Sequence, residues 1–370
     1  MTKTQSRPAR PTLSVVMANY NHGRFLEIAL TAILEQSWPP DEIIVVDDAS
    51  TDDSMEILQA LAQQSPLIRV ERNERNLGVV ASFNRLVDIA GGDYVYGAAA
   101  DDMVLPGLFE KSMRLLTEFP QAGLCSCLTR VMDEEGHDAR LFPTPIVASG
   151  PRFLTPGEVL RTLRRQGSWM MGNTVFYRRG ALLELGGFLP ELHSFYDGFF
   201  QQVLALRHGA CFIPEPLASW RQLAGGYSRQ TAKDFDRSLE IMRCAGTLMR
   251  TTYRELFPER YVSDWEKMWL WTAAHGIASR AYAAQLSSLA RLDALGEGSK
   301  GVSAILMAGL PFLAGVQRLA MEAYNFIRFG GYPWKWLRIQ WRTRRTRRRL
   351  RLTVGPDPRF SAPERRSSGS

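Results

Sequence analysis

The chain of 370 residues has little cysteine and little histidine, with four of the first and five of the second. The cysteines lie at positions 125, 127, 211 and 244, and no histidine cluster completes a zinc-binding spacing around them. Only Cys125 and Cys127 are close in sequence. This pattern argues against a disulfide framework and against a structural zinc site, and it predicts a reduced, cytoplasmic protein with buried thiols.

Several common motifs are also missing. The sequence has no G-x-G-x-x-G, no P-loop lysine motif and no G-x-S-x-G, which argues against a dehydrogenase, a kinase and a serine hydrolase. It has no internal repeats. The first eleven residues, MTKTQSRPARP, lack the apolar core of a signal peptide, and we expect a disordered lead-in over 1–11.

Negative charge is scarce only at the carboxyl end. The whole chain carries a net charge of +7. Residues 318–370 hold thirteen Arg and one Lys against three acidic residues, a net of +11, so the preceding 317 residues carry a net of −4. The basic character therefore belongs to the tail.

The stretch 13–54 predicts a strand, a helix and a second strand. Two short apolar runs, 13–17 and 43–46, flank an amphipathic segment over 25–36. Polar residues gather where each strand ends, at 18–22 and 47–53. Ligands of open α/β sheets bind at the carboxyl ends of the strands, so these two segments are the first candidates for a site.

The alternation of strands and helices continues along the chain. Further strands are predicted at 68–71, 93–98 and 122–132, with helices at 54–64, 79–90 and 106–118. Parallel strands need such crossovers, and the pattern therefore predicts an α/β fold with a doubly wound, mostly parallel sheet flanked by helices. Two closing strands, at 211–213 and 217–221, and a helical carboxyl-terminal region from 234 to 291 follow.

Two acidic pairs lie at the ends of predicted strands. Asp47-Asp48 follows the second strand and Asp101-Asp102 follows the fourth. Neighbouring carboxylates repel one another unless a cation or hydrogen-bond donors lie among them, and Mg²⁺ or Mn²⁺ would serve because both prefer oxygen ligands. The alternative is that these aspartates only cap the helices that follow.

Four blocks of the sequence resemble the family 2 glycosyltransferases, which have the GT-A fold. They are SVVMANYNHGRFLEIALTAILEQSWPPDEIIVVDDASTDDS (14–54), RNLGVVASFNRLVDIAGGDYVYGAAADD (75–102), the GNTVFYRR…LGGF block (172–188) and YDGFF (196–200). Together these blocks span over half of the chain, and the first is the most specific. The resemblance implies an inverting, metal-dependent transfer of a sugar from a nucleotide-diphosphate donor to a hydroxyl of a glycan or lipid-linked acceptor, with Mn²⁺ or Mg²⁺ as cofactor.

The resemblance also implies a role for each matching residue. The nucleotide would be bound by Ala18, Tyr20, Asp47 and Asp48, with Tyr20 stacking on the base. Asp101 and Asp102 would bind the metal, and Asp101 and Arg221 would contact the donor sugar-diphosphate. Trp169 and Asn173 would face the acceptor, and Asp197 would be the general base that deprotonates it.

The sequence departs from the family pattern at two positions. Many members have Asp-x-Asp-Asp after the fourth strand, whereas the first of those positions is Ala99 here. An acidic pair is frequent where this chain has Tyr196-Asp197. Two alternatives therefore stay open: a catalytically degenerate protein that binds sugar nucleotides or nucleic acid, and a nucleotidyltransferase on a related fold.

The basic tail suggests a membrane surface. An uncharged segment over 301–317 precedes a region that mixes Trp, Tyr and Phe with Arg, and WRTRRTRRRLRL (341–352) completes it. Aromatic rings and arginines together favour an interfacial anchor on the cytoplasmic face of the inner membrane. A core helix is the alternative, and nucleic acid is the less favoured partner. The predicted organisation is a lead-in (1–11), a GT-A domain (12–230), a helical extension (231–300), a membrane-surface segment (301–352) and a disordered tail (353–370).

Overall fold

The computed structural model describes residues 10–137, 140–227 and 234–277, together with 337, 341, 344–346 and 348. The lead-in before residue 10, the uncharged segment 301–317 and the tail 353–370 lie outside the described residues, so the predictions made for them stay predictions.

Strands and helices alternate through the first half of the chain, as the sequence predicts. The elements are β1 (Leu13–Asn19), α1 (Gly23–Leu34), β2 (Glu42–Asp47), α2 (Ser54–Gln64), β3 (Ile68–Arg72), α3 (Val79–Ile89), β4 (Tyr94–Ala99), β5 (Met103–Val104), α4 (Leu108–Glu118) and β6 (Leu124–Met132). They continue with β7 (Arg140–Leu141), β8 (Arg152–Leu154), α5 (Pro156–Gln166), β9 (Phe176–Arg178), α6 (Arg179–Leu183), α7 (Tyr196–His208), β10 (Ala210–Arg221), α8 (Phe235–Arg250) and α9 (Glu259–Ile277).

All of these strands belong to one sheet with the order β3-β2-β1-β4-β9-β6-β10-β5, to which β7 and β8 add at β6 and β10. Strands β3, β2, β1 and β4 are parallel to one another, and β10 is parallel to β6. Strand β9 lies antiparallel between β4 and β6. The predicted α/β architecture with a mostly parallel sheet is confirmed.

The sheet is apolar on both faces because helices cover both. Val15, Val16 and Met17 of β1 point to alternate faces, and all three are fully buried. On α1, buried Leu26, Leu30 and Ile33 recur at helical spacing toward the sheet. A continuous core of this kind fixes the strand register, and the register fixes which loops meet at each edge of the sheet.

The predicted pair of closing strands is wrong in one respect. Residues 210–221 form the single strand β10, whose pairing with β6 shifts register between Ile213 and Pro216 and again between Pro216 and Ala218. A proline has no N–H to donate to the ladder, so the strand bulges there and then resumes. This single strand carries Arg221 to the same edge of the sheet as the ends of β1 and β4.

The chain divides into two compact units. Among the described residues, the first contains 10–137, 140–190, 196–223, 345, 346 and 348, and the second contains 191–195, 224–227, 234–277, 337, 341 and 344. Within the second unit, helices α8 and α9 pack together, and buried Trp265 stacks on Phe195 with ring centroids 5.8 Å apart. Across the described residues, no helix is both long enough and apolar enough to cross a bilayer.

The four thiols are unpaired. Cys125, Cys127 and Cys211 are buried, and burial raises the pKa of each above its ordinary value. The expectation of buried thiols is met at these three positions, whereas Cys244 is partly exposed.

Candidate active site

The loops that follow β1, β2 and β4 meet at one edge of the sheet. Ala18 on β1 is in register with Val46 on β2 and with Ala99 on β4. Adjacent strands lie about 4.8 Å apart, so the residues just beyond these positions are neighbours. Among them, Tyr20 exposes 42% of its surface, which leaves its ring available to a ligand.

Asp47 is fully buried and hydrogen-bonded within the protein. Its Oδ1 accepts from Nδ2 of Asn19 at 2.9 Å and its Oδ2 accepts from the backbone N–H of Ser50 at 3.0 Å. The guanidinium of Arg72 lies 3.7 Å from Oδ2. These contacts fix the loop after β2 against the end of β1. The predicted contact between Asp47 and a nucleotide stays a prediction.

Asp48 holds the loop that follows β3. Its Oδ1 accepts from Nδ2 of Asn73 at 2.7 Å and from the N–H of Leu77 at 2.9 Å, and its Oδ2 accepts from the N–H of Gly78 at 2.8 Å. A carboxylate has about four lone-pair sites, so three are in use and one, on Oδ2, is left for a ligand. Sequence reasoning included this loop in the 75–102 block but did not connect it with Asp48, because that contact depends on the strand order.

Asp101 and Asp102 lie between β4 and β5, beside the end of β10. Oδ1 of Asp102 accepts from the backbone N–H of Arg221 at 2.8 Å. Burial, and after it the charge of Asp101, raise the pKa of Asp102 well above the ordinary value. The helix-cap alternative is wrong for Asp102, because α4 begins after Gly107 and has no side-chain cap.

Arg221 is buried and bonded mainly to backbone carbonyls. Its Nε donates to the carbonyl of Asp101 and its Nη1 to that of Glu134, at 2.8 Å and 2.7 Å. Its guanidinium also lies 4.5 Å from the ring centroid of Phe25. Arg221 therefore connects the Asp101-Asp102 turn to the loop after β6, and its predicted contact with a phosphate stays a prediction.

Arg24 is a cation at this edge that sequence reasoning missed. Its guanidinium lies 4.4 Å from the centroid of the same Phe25 ring, and its side chain is 65% exposed. Burial is the main cause of the lowered pKa of Arg221, and the nearby positive charge of Arg24 lowers this pKa further. Nothing in the local sequence marks Arg24, because its neighbour in the site comes from a distant strand.

The two residues predicted to face the acceptor differ in position. Trp169 is fully buried, and its Nε1 donates to Oγ of Ser126 at 3.2 Å, so in this structure it lies beneath the surface. Asn173 belongs to the 3-10 turn Gly172–Thr174. Its side chain lies within hydrogen-bonding reach of Asp102, and this contact partly offsets the rise in the pKa of Asp102. Oδ1 of Asn173 is buried without a hydrogen-bond partner among the described residues.

Asp197 lies in the first turn of α7, partly exposed, beside Gly172. Its Oδ1 accepts from the N–H of Gly198 at 2.7 Å. Burial raises the pKa of Asp197 to about 6, and this N–H partly offsets the effect. A carboxylate with a pKa near neutrality is suited to accept a proton at physiological pH.

These contacts join three of the predicted residues, Asp102, Asn173 and Asp197, into one row. Asp102 neighbours Asn173, Asn173 follows Gly172, and Gly172 lies against Asp197. The structure thus brings the residues predicted to bind metal, acceptor and transferred proton together. Trp169 stays below this row, and Ala18, Tyr20, Asp47 and Asp48 lie along the adjacent strands β1 and β2.

The residues present fit a divalent cation that is partly held by the substrate. Among the described residues, no group of three or more His, Cys, Asp or Glu is placed to bind a metal. The protein would supply Asp101 and Asp102, beside the orphan Oδ1 of Asn173. Mg²⁺ and Mn²⁺ commonly use one or two carboxylates and complete their coordination with substrate phosphates.

Solved structures with the same architecture include glycosyltransferases, and they show that this chain has the GT-A fold. One is TarS of S. aureus in complex with UDP-GlcNAc, with a TM-score of 0.59, 17% identity and coverage of 85% of this chain and 91% of that one. Another is the mannosyltransferase PcManGT of Pyrobaculum calidifontis in complex with GDP-Man and Mn²⁺, with a TM-score of 0.51, 20% identity and coverage of 86% and 88%.

Sequence relatives give the family. An uncharacterized glycosyltransferase of Nostoc, alr2836, is 30% identical over 65% of this chain and 74% of its own length. The uncharacterized protein MT1568 of Mycobacterium tuberculosis is 31% identical over 59% of this chain and 69% of its own. The putative glycosyltransferase EpsE of Bacillus subtilis is 34% identical over 39% of this chain and 54% of its own length. The family model described as glycosyl transferase family 2 matches residues 14–185, and the chain belongs to that family. It is a glycosyltransferase.

Proposed function

We propose that the protein transfers a sugar from a nucleoside-diphosphate donor to a hydroxyl group of a glycan or lipid-linked acceptor, with inversion at the anomeric carbon. The structures of TarS with UDP-GlcNAc and of PcManGT with GDP-Man support a donor of this class. The proposed setting is the synthesis of a cell-surface polysaccharide or glycolipid.

The row from Asp102 to Asp197 carries this proposal. Asp197 accepts the proton of the acceptor hydroxyl as that oxygen attacks the anomeric carbon, and the nucleoside diphosphate leaves from the opposite face. Its pKa of about 6 leaves it ionised at pH 7.5, which the role requires. Asn173, one residue from the Gly172 contact with Asp197, orients the acceptor above the base.

Asp101 and Asp102 would hold a divalent cation together with the donor diphosphate. Mn²⁺ or Mg²⁺ bound there would supply positive charge to offset the charge on the departing nucleoside diphosphate. Arg221 keeps the two carboxylates in place through its bonds to Oδ1 of Asp102 and the carbonyl of Asp101. We also propose that Arg221 contacts the sugar-diphosphate, as the family resemblance implies.

The nucleoside binds along the ends of β1 and β2. Tyr20 stacks on the base, Ala18 forms the floor beside it, and Asp48 accepts one hydrogen bond from the base through the remaining site on Oδ2. Asp47 supports the same surface through its bonds to Asn19 and Ser50.

The experiment is a panel of nucleotide sugars, tested for nucleoside diphosphate release with Mn²⁺, with Mg²⁺ or with EDTA. We expect one donor to be hydrolysed or transferred, with activity lost in EDTA and in the Asp197→Asn variant. Release that persists at the wild-type rate in either would overturn the proposed mechanism. Binding of a donor with no turnover under any condition would favour the degenerate binding protein.

We further propose that the tail places the enzyme on the cytoplasmic surface of the inner membrane. Leu337 and Trp341 expose 48% and 60% of their surface, and Arg344 is exposed as well, which gives the tail the apolar, aromatic and basic side chains of an interfacial anchor. Anionic vesicles should sediment the full chain at physiological salt, whereas neutral vesicles should bind less. Failure to bind anionic vesicles would overturn this part of the proposal.

A further inference from the structure

Gly172 contacts the carboxylate of Asp197 where any other residue would have a side chain. A Cβ placed on Gly172 would lie closer than 3.0 Å to Oδ2 of Asp197, which real Cβ atoms essentially never do, and 3.5 Å from its Cγ. Apart from Gly172 itself and its two chain neighbours, the described residues bring only the carboxyl group of Asp197 within 4 Å of that position. The carboxylate thus occupies the space that the glycine leaves.

We propose that Gly172 is a positioning residue, whose missing side chain allows the Asp197 carboxylate to lie where the acceptor hydroxyl reaches it. This inference rests on the proposed role of Asp197 as the base. It makes residue 172 a determinant of catalytic rate, although it contributes no functional group.

The contact constrains the base more than it stabilises the fold. The φ angle of Gly172 lies outside the left-handed region, so alanine can adopt the backbone of the turn. The overlapping atom is the end of a flexible side chain, which can rotate away at little cost in folding free energy. Rotation would draw Oδ1 away from the N–H of Gly198, its partner at 2.7 Å.

The effect on the reaction should be large because a base acts over hydrogen-bond distance. A displacement of about 1 Å in a reacting group can cost about 100-fold in rate. The donor end of the site should change little, because Tyr20 and Asp48 lie on loops that do not include residue 172. A positioning role therefore predicts a fall in kcat with donor affinity preserved.

The test is Gly172→Ala in the full chain, with two matched controls. In Gly246→Ala the new Cβ would lie 2.6 Å from Oε1 of Glu266, so this variant displaces a carboxylate that is not one of the proposed site residues. In Gly180→Ala the new Cβ meets no atom within 4 Å. We expect Gly172→Ala to lower kcat by about 30- to 100-fold, with donor KM and nucleoside diphosphate affinity within about twofold of wild type. Both controls should keep the wild-type kcat.

Three outcomes decide between the possibilities. If Asp197→Asn keeps the wild-type kcat, the proposed base is wrong. If Asp197→Asn is inactive and Gly172→Ala is fully active, only the present inference is wrong. If Gly172→Ala loses nucleoside diphosphate affinity in step with kcat, the glycine has a general structural role and the inference is again overturned.

A double variant covers a failure to fold. If Gly172→Ala lowers the thermal midpoint, adding Asp197→Ala removes the overlapping carboxylate and should restore the midpoint. A midpoint that stays low in the double variant would show that the overlap with Asp197 is not the cause, and would overturn the inference.

Discussion

The pKa of Asp197 predicts a pH dependence of both activity and stability. Burial raises this pKa from 3.8 to about 6. Because the base must be ionised to accept a proton, kcat should be constant above about pH 7 and should fall about tenfold for each pH unit below about 6. At pH 5 we therefore expect about one tenth of the plateau rate.

The same shift has the opposite sign for stability. A raised pKa in the folded state means that folding favours the neutral carboxyl group, so its contribution is fully present below about pH 3.8 and is lost as pH rises through about 6. A shift of about two units corresponds to roughly 3 kcal/mol at most, and partial exposure of the side chain reduces it to about 1–2 kcal/mol. Asp197→Asn should therefore be inactive yet more stable than wild type at pH 7.5.

The assay compares wild type with Asp197→Asn at pH 4 and pH 7.5, following thermal unfolding and nucleoside diphosphate release. The variant should have the higher midpoint at pH 7.5, with the difference shrinking toward pH 4. Asp88→Asn, which changes an exposed aspartate of α3, is the matched control and should alter neither quantity. A flat kcat down to pH 5, or a variant less stable than wild type at pH 7.5, would refute the reasoning.

Three further predictions follow from the site and its scaffold. Asp102→Asn should lower kcat by about 100-fold or more and weaken the response to Mn²⁺ titration, and an unchanged Mn²⁺ dependence would contradict the cation assignment. Asp48→Ala removes the acceptor of three hydrogen bonds, one buried and two partly buried, so urea unfolding should show a loss of about 2–3 kcal/mol, with Asp48→Asn intermediate. Thr155→Ala removes the capping box of α5 and should cost about 1 kcal/mol of stability while kcat stays unchanged.

Local sequence pattern was sufficient for most elements in the first third of the chain and for the family. Strands β1 and β2 are buried on both faces and α1 is buried on one face. Each segment therefore carries apolar residues at the spacing of its own secondary structure, and this spacing can be read from the local sequence. The register of parallel strands then placed Tyr20, Asp48 and Asp101 at one edge, because all parallel strands end on the same side. The family resemblance pointed to the same positions.

Only the tertiary structure decided what each side chain contacts. Trp169 and Asn173 are close in sequence, yet Trp169 is fully buried whereas Asn173 contacts Asp102. The difference arises because Asn173 lies in the 3-10 turn and Trp169 precedes it. Arg221 donates to carbonyls from two distant loops, which no local spacing could reveal. The contact between Gly172 and Asp197 depends on the packing of α7 against the turn that precedes β9. The residue types determine which chemistry is available, and the fold determines which groups are close enough to perform it.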